Sequence, residues 1–218
     1  MPTLELLKLQ LKPGVSATSP RLLAILSSVR LFVKTNSRFY TCIEDNSLLY
    51  ILGEWPSLEA HKAFLSSPEQ ETVLKPQEEV ADFAWCEHIE MSESMNTTLP
   101  LDAQVLALAR LWIKPDATSC EKFEKLMRKY RDEIVTGSSA EVVFDGWRVD
   151  QVEGEKEYIL LSGWDSQKHH LAWEETTRRD IPEYAGMRKY YDVRKGEAGV
   201  EVVHLKDAEK MVAKGEGA

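Results

Sequence analysis

The chain repeats itself. Leu9-Gln10-Leu11-Lys12-Pro13-Gly14 returns 102 residues later as Leu111-Trp112-Ile113-Lys114-Pro115-Asp116, and Ile51-Leu52-Gly53-Glu54-Trp55-Pro56-Ser57 returns 109 residues later as Leu160-Leu161-Ser162-Gly163-Trp164-Asp165-Ser166. Both copies then reach a histidine at the same step, in Trp55-x-Ser57-x-x-x-His61 and Trp164-x-Ser166-x-x-x-His170. His88-Ile89 has its counterpart in His204-Leu205, 116 residues on. Offsets that grow in one direction mean insertions in the second copy, near Val152–Lys156 and again after its second helix. Ordered landmarks at a fixed period describe one folding unit used twice.

Each copy reads as βαββαβ. Leu4–Leu11 alternates as a strand and stops at Lys12-Pro13-Gly14. A helix follows from Ser19 with Pro20 in its first turn and Leu22, Leu26, Val29 and Val33 along one side. The second copy opens its helix at Thr118-x-x-Glu121, a capping box, and lines up Phe123, Met127, Tyr130 and Ile134. Arg38–Glu44 and Leu48–Glu54 predict a hairpin about Asp45-Asn46; Glu141–Asp150 and Glu157–Gly163 predict its counterpart about Glu153-Gly154. A shorter helix follows each tryptophan, and the last strands fall at Phe83–Glu90 and Val200–Leu205. Ser92–Leu101 is a linker by composition. The expected division is therefore 1–91, a linker at 92–101, and 102–218 with a charged C-terminal helix over Lys206–Ala218.

This order defines an α+β ferredoxin-like fold, with both helices on one face of each sheet. The open face must be covered, and the expectation is that the two copies cover each other as an intrachain pseudo-dimer, with a cavity between the sheets and room for a further homodimer.

Composition narrows the partners. The net charge of −9 is spread over both halves with no basic stripe, which excludes a polyphosphate partner and so nucleic acid. Cys42, Cys86 and Cys120 are far apart, odd in number and without CxxC spacing, which suits a reducing compartment and predicts neither disulfide nor zinc. The N-terminus lacks the pattern of a signal peptide, and no apolar run reaches the ~20 residues of a membrane helix, so the reading is cytoplasmic. No phosphate-binding loop, dinucleotide fingerprint or HExxH motif occurs. The expectation is no cofactor and no metal.

Strand parity selects the candidate site. Leu7, Leu9 and Leu11 share an apolar face with their equivalents Ala109, Leu111 and Ile113, and this face should carry the helices. The opposite face holds Lys8 and Gln10 in one copy, and Arg110 and Trp112 in the other. These either orient an anionic or phenolic ligand, or form a polar network with Glu54 or Glu87. His88 and His204 are expected to border the inter-sheet cavity, either as catalytic bases or as hydrogen-bonded strand ends. The second copy holds the richer set, Arg110, Trp112, Trp147 and His204, and His204 is its candidate base. His61 reads as a structural histidine on the packed side of its helix. Arg178–Lys195, basic and rich in tyrosine, has no counterpart of equal length in the first copy and reads as a solvated extension or a lid.

The repeat, the βαββαβ order and the Trp-x-Ser-x-x-x-His corner resemble the antibiotic biosynthesis monooxygenase (ABM) family of dimeric α/β barrels, in a tandem form similar to fungal members. The resemblance implies small-molecule chemistry in the barrel cavity, in known cases cofactor-independent oxygenation of polycyclic phenols. The family's haem-degrading branch uses a first-strand Asn and a His at the far end of the second helix. This chain has neither, and a haem protein of the wider superfamily type would have to use His170. The function implied is a tailoring monooxygenase acting on an aromatic or polyketide-type molecule. The alternatives are a non-catalytic small-molecule binder and an isomerase or cyclase.

Overall fold

A computed structural model describes residues 1–215. It resolves into two units: Met1–Met95 together with the chain from Leu205 onward, and Asn96–His204.

In the first unit, β1 (Thr3–Leu11), α1 (Pro20–Val33), β2 (Arg38–Cys42), β3 (Leu48–Trp55), α2 (Leu58–Leu65), α3 (Gln70–Glu78) and β4 (Ala81–Glu90) follow one another. The strands run antiparallel in the order β4-β1-β3-β2. Local chemistry starts the helices: Ser19 caps α1 by accepting from the Leu22 N–H, and Ser57 caps α2 by accepting from Ala60. Leu9 and Leu11 pack with Leu22 and Leu26 of α1 and with Phe39, Leu49 and Ile51, so the odd-numbered face of β1 carries the helices.

The second unit contains α4 (Met95–Thr98, apart from its first residue), β5 (Val105–Trp112), α5 (Ala117–Gly137), β6 (Phe144–Trp147), β7 (Glu157–Trp164), α6 (Gln167–Asp180), α7 (Pro182–Ala185), a 3-10 turn (Gly186–Tyr190) and the start of β8 (Val200–Asp207). Its strand order is β8-β5-β7-β6, the same ferredoxin-like order as in the first unit. Phe123, Met127 and Ile134 of α5 pack on Leu111, Tyr158 and Leu160.

Two expected boundaries move. The strand predicted over Glu141–Asp150 shrinks to β6; Arg148 still bonds to Glu157 through its backbone (3.0 Å), and its side chain pairs with Asp150 (2.9 Å) and Glu157 (3.2 Å). The last strand runs on to Asp207: Leu205–Asp207 pair antiparallel with Cys42–Tyr40 and give β2 a neighbour within the first unit. The chain then enters α8 (Ala208–Lys214), capped by the Asp207 carboxylate and ended by Gly215 in the left-handed region. The last three residues of the expected charged helix lie outside the described residues. No helix among the described residues is long and apolar enough to cross a membrane, and Cys42, Cys86 and Cys120 are not in disulfides.

Candidate active site

The corner where β3 meets α2 holds a buried polar chain. Trp55 ends β3 opposite Thr3, and two residues further along the pairing Glu5 stands opposite Gly53. Glu5 also stands opposite His88 across β1 and β4. All three strands thus offer this position to the face that carries the helices. From α2, His61 reaches back over the sheet and stacks on Trp55, with ring centroids 4.5 Å apart.

The contacts are short and ordered. Trp55 Nε1 donates to Glu5 Oε2 at 2.6 Å, His61 Nε2 lies 3.3 Å from the same oxygen, and His61 Nδ1 lies 2.7 Å from His88 Nε2. One tautomer set satisfies the chain: His61 donates from Nε2 to Glu5 and accepts at Nδ1 from His88 Nε2–H. Glu5 Oε1 meets no donor among the described residues. Glu5, Trp55, His61 and His88 are all at least nine-tenths buried. Burial raises the Glu5 carboxyl above its ordinary value, opposed by the Trp55 hydrogen bond and by the charge of His88.

A cavity of about 130 Å³ adjoins this chain, lined by Glu5, Trp55, His61 and Cys86 and otherwise mainly by apolar side chains such as Leu7, Leu26, Phe39 and Ile51. A void of ~150 Å³ in a protein core holds one benzene ring, so this space suits a single ring. Two of its apolar lining residues, Phe83 and Leu65, are exposed and form its rim.

Glu5, His61, Cys86 and His88 also have the donor atoms of a metal centre, all within 4.8 Å of one another. Two nitrogens on one zinc at 2.0–2.1 Å in tetrahedral geometry stand roughly 3.3 Å apart. The imidazole nitrogens here are 2.7 Å apart, the distance of a shared proton, and an ion would have to separate them.

The second unit repeats the histidine pair but has another residue at the position of Glu5. His170 Nδ1 and His204 Nε2 are 2.8 Å apart, and His170 packs against Trp164 at 4.6 Å. At the position of Glu5 stands Ala107, paired with Ser162 where the first unit has Gly53. The Trp164 indole accordingly donates to Ser162 Oγ at 2.9 Å. A Cβ on Gly53 would crowd Ser37 Oγ at 2.9 Å, with Glu5 Oε1 in ordinary contact at 3.8 Å.

The residues singled out in the sequence scatter. Lys8 lies on the face opposite the helices, its ammonium 5.7 Å from the Tyr50 ring centroid, and Gln10 is exposed and donates to Ser47 at the β2–β3 turn. Arg110 and Trp112 share the corresponding face of the second unit. Arg110 donates to Glu157 (2.7 Å) and Glu201 (2.9 Å) and stacks over Trp112 at 4.8 Å, an ion-paired polar network on that face. Trp147 belongs to the helix-side core, against Phe123 and Tyr158. His88 and His204 also face the helices, where the inter-sheet side was expected, because each sits in register with the strand positions that meet His61 and His170. Arg110 and His204 are therefore on opposite faces and do not form one site.

Sequence reasoning missed Glu5, while His61 stands on the packed side of its helix as read. The signal for Glu5 was present, because it shares parity with Leu7, Leu9 and Leu11 and is the acid on an apolar face.

No family model and no curated protein matches the chain. Solved structures do. A chlorite dismutase candidate superposes with a TM-score of 0.60 at 12% identity, covering 98% of both chains. An anthrone oxidase-like protein gives 0.59 at 15%, covering 94% of this chain and 91% of its own. A monooxygenase candidate from Fusobacterium nucleatum gives 0.57 at 9%, covering 95% and 92%. The chain has their fold. At these identities the likeness extends to the fold alone, and the chemistry has to be argued from the side chains.

Proposed function

We propose that the chain is a tandem duplication of one ferredoxin-like unit and acts as a cofactor-independent monooxygenase on a small aromatic molecule, with its reaction centre in the first unit. The observation that carries this reading is a buried Glu5, backed by His61 and His88, at the wall of an apolar one-ring cavity. The reacting ring enters the cavity, and any larger body of the substrate rests on Phe83 and Leu65 at the rim. Glu5 is the general base. Its raised pKa matches it to weak carbon or phenol acids, and His61 with His88 takes up part of the charge and proton. Trp55 holds the carboxylate in place.

Removing the proton from an activated ring methylene or its phenol tautomer leaves an electron-rich anion in a site that excludes bulk water. That anion reduces dioxygen directly, and the sum is CH₂ + O₂ → C=O + H₂O. The anthrone oxidase-like neighbour shares the fold and suggests anthrone as the test substrate. In the second unit Ala107 stands where the first has Glu5, so the same base is not available there and a binding role fits better than a catalytic one.

The test is oxygen uptake on anthrone under ¹⁸O₂, with mass analysis of the product. One labelled oxygen in the product at a rate proportional to protein supports the reading. A product of unchanged mass would point to an isomerase or cyclase, and saturable binding without turnover to a carrier.

A further inference from the structure

The second unit has a pocket of its own on its helix-covered side. Its floor is apolar, from Ala109, Leu111, Met127, Ile134 and Leu160, and its volume is about 60 Å³. It is also lined by a segment with no counterpart of equal length in the first unit: the end of α6, α7 and the 3-10 turn bring Arg178, Tyr184, Arg188 and Tyr191 to it.

The charges along this segment do not balance. Arg178 pairs with Glu174 one helical turn away. Arg188 has no ion pair or side-chain hydrogen bond among the described residues, yet lies close enough to Arg178 for the two charges to repel. Neither the Tyr184 nor the Tyr191 hydroxyl has a hydrogen-bond partner among the described residues. Burial pushes the Tyr184 phenol up to about 12 and raises Tyr191 as well, so both remain protonated donors near neutral pH. Two guanidinium groups against one carboxylate, with two unused hydroxyl donors, make a lining set for an incoming anion. An oxyanion held there would also relieve the Arg178–Arg188 repulsion.

We propose that this pocket binds a short-chain carboxylate, its carboxylate at Arg178 and Arg188 and its hydrocarbon end on the apolar floor. The small volume, about 60 Å³, keeps the hydrocarbon end short. The two arginines and two tyrosines supply the head-group recognition, and Trp173 walls the side. The site is separate from the Glu5 centre and does not depend on the reading given to that centre.

The experiment is calorimetric and NMR titration of the whole protein with butyrate, with butyramide as the neutral isostere and with inorganic phosphate. Saturable butyrate binding is expected, with butyramide at least tenfold weaker. Arg178→Gln and Arg188→Gln should each weaken butyrate about tenfold, as loss of a charged hydrogen bond does. Both variants should keep the wild-type circular dichroism and melting behaviour, which separates lost binding from lost folding. Equal binding of butyrate and butyramide, an affinity indifferent to both arginines, or no saturable binding overturns the proposal. Phosphate binding as tight as butyrate removes the role given to the apolar floor and overturns it in that form.

Discussion

At the scale of single residues, Glu5 departs furthest from what its surroundings favour. A carboxyl buried in an apolar corner is held above its ordinary 4.5, and the unfolded chain does not share that shift. Between the unfolded and folded values the folded state binds the proton more tightly, so stability falls as pH rises through that window. Glu5→Gln has no proton to lose. Melting temperatures of the two proteins across the acid-to-neutral range should therefore diverge in favour of the Gln variant as pH rises, and level off above the folded pKa. A gap that stays flat or closes with rising pH would mean that Glu5 is not buried as an isolated acid. The same residue shows why the site was only half legible. Parity places Glu5 on the apolar face at a glance, but the sequence does not show that His61 bends back from α2 to meet it, which is a matter of the angle between helix and sheet.

Among the elements, the strands were the most legible because period-two alternation and turn residues specify them locally. β1, β3, β5 and β7 stand where alternation puts them, while the β6 hairpin arm is shorter than the alternation suggested. Close packing between elements leaves no such trace. At Gly163 on β7 a Cβ would meet the Cβ atoms of Ala103 at 2.7 Å, Ala140 at 2.8 Å and Pro100 at 3.0 Å. Three small side chains hemmed in by backbone cannot swing away. Gly163→Ala should cost about 1–3 kcal/mol by overpacking, read from urea unfolding, whereas Gly154→Ala is strained only by its positive φ and meets nothing within 4 Å. Equal stabilities for wild type and Gly163→Ala would show that the 100–103 segment yields freely.

For the molecule as a whole, the ordered sequence landmarks pointed to the fold, and the differences between the two units carry the proposed chemistry. Both units keep a strand order of ferredoxin-like type, a Trp corner and a bonded histidine pair. The first places Glu5 beside that pair where the second has Ala107, and the second adds the α7 and 3-10 segment with its arginines. Sequence reading favoured the second copy because Arg110, Trp112, Trp147 and His204 look rich in a list, but two of these lie on each face of its sheet. The most direct test compares oxygen uptake on anthrone by Glu5→Gln and by His204→Ala against wild type. The account predicts that Glu5→Gln loses about 10²–10⁴-fold in kcat, the loss typical of a general base, while His204→Ala stays within a few-fold. Loss of turnover in His204→Ala with full activity in Glu5→Gln would contradict it.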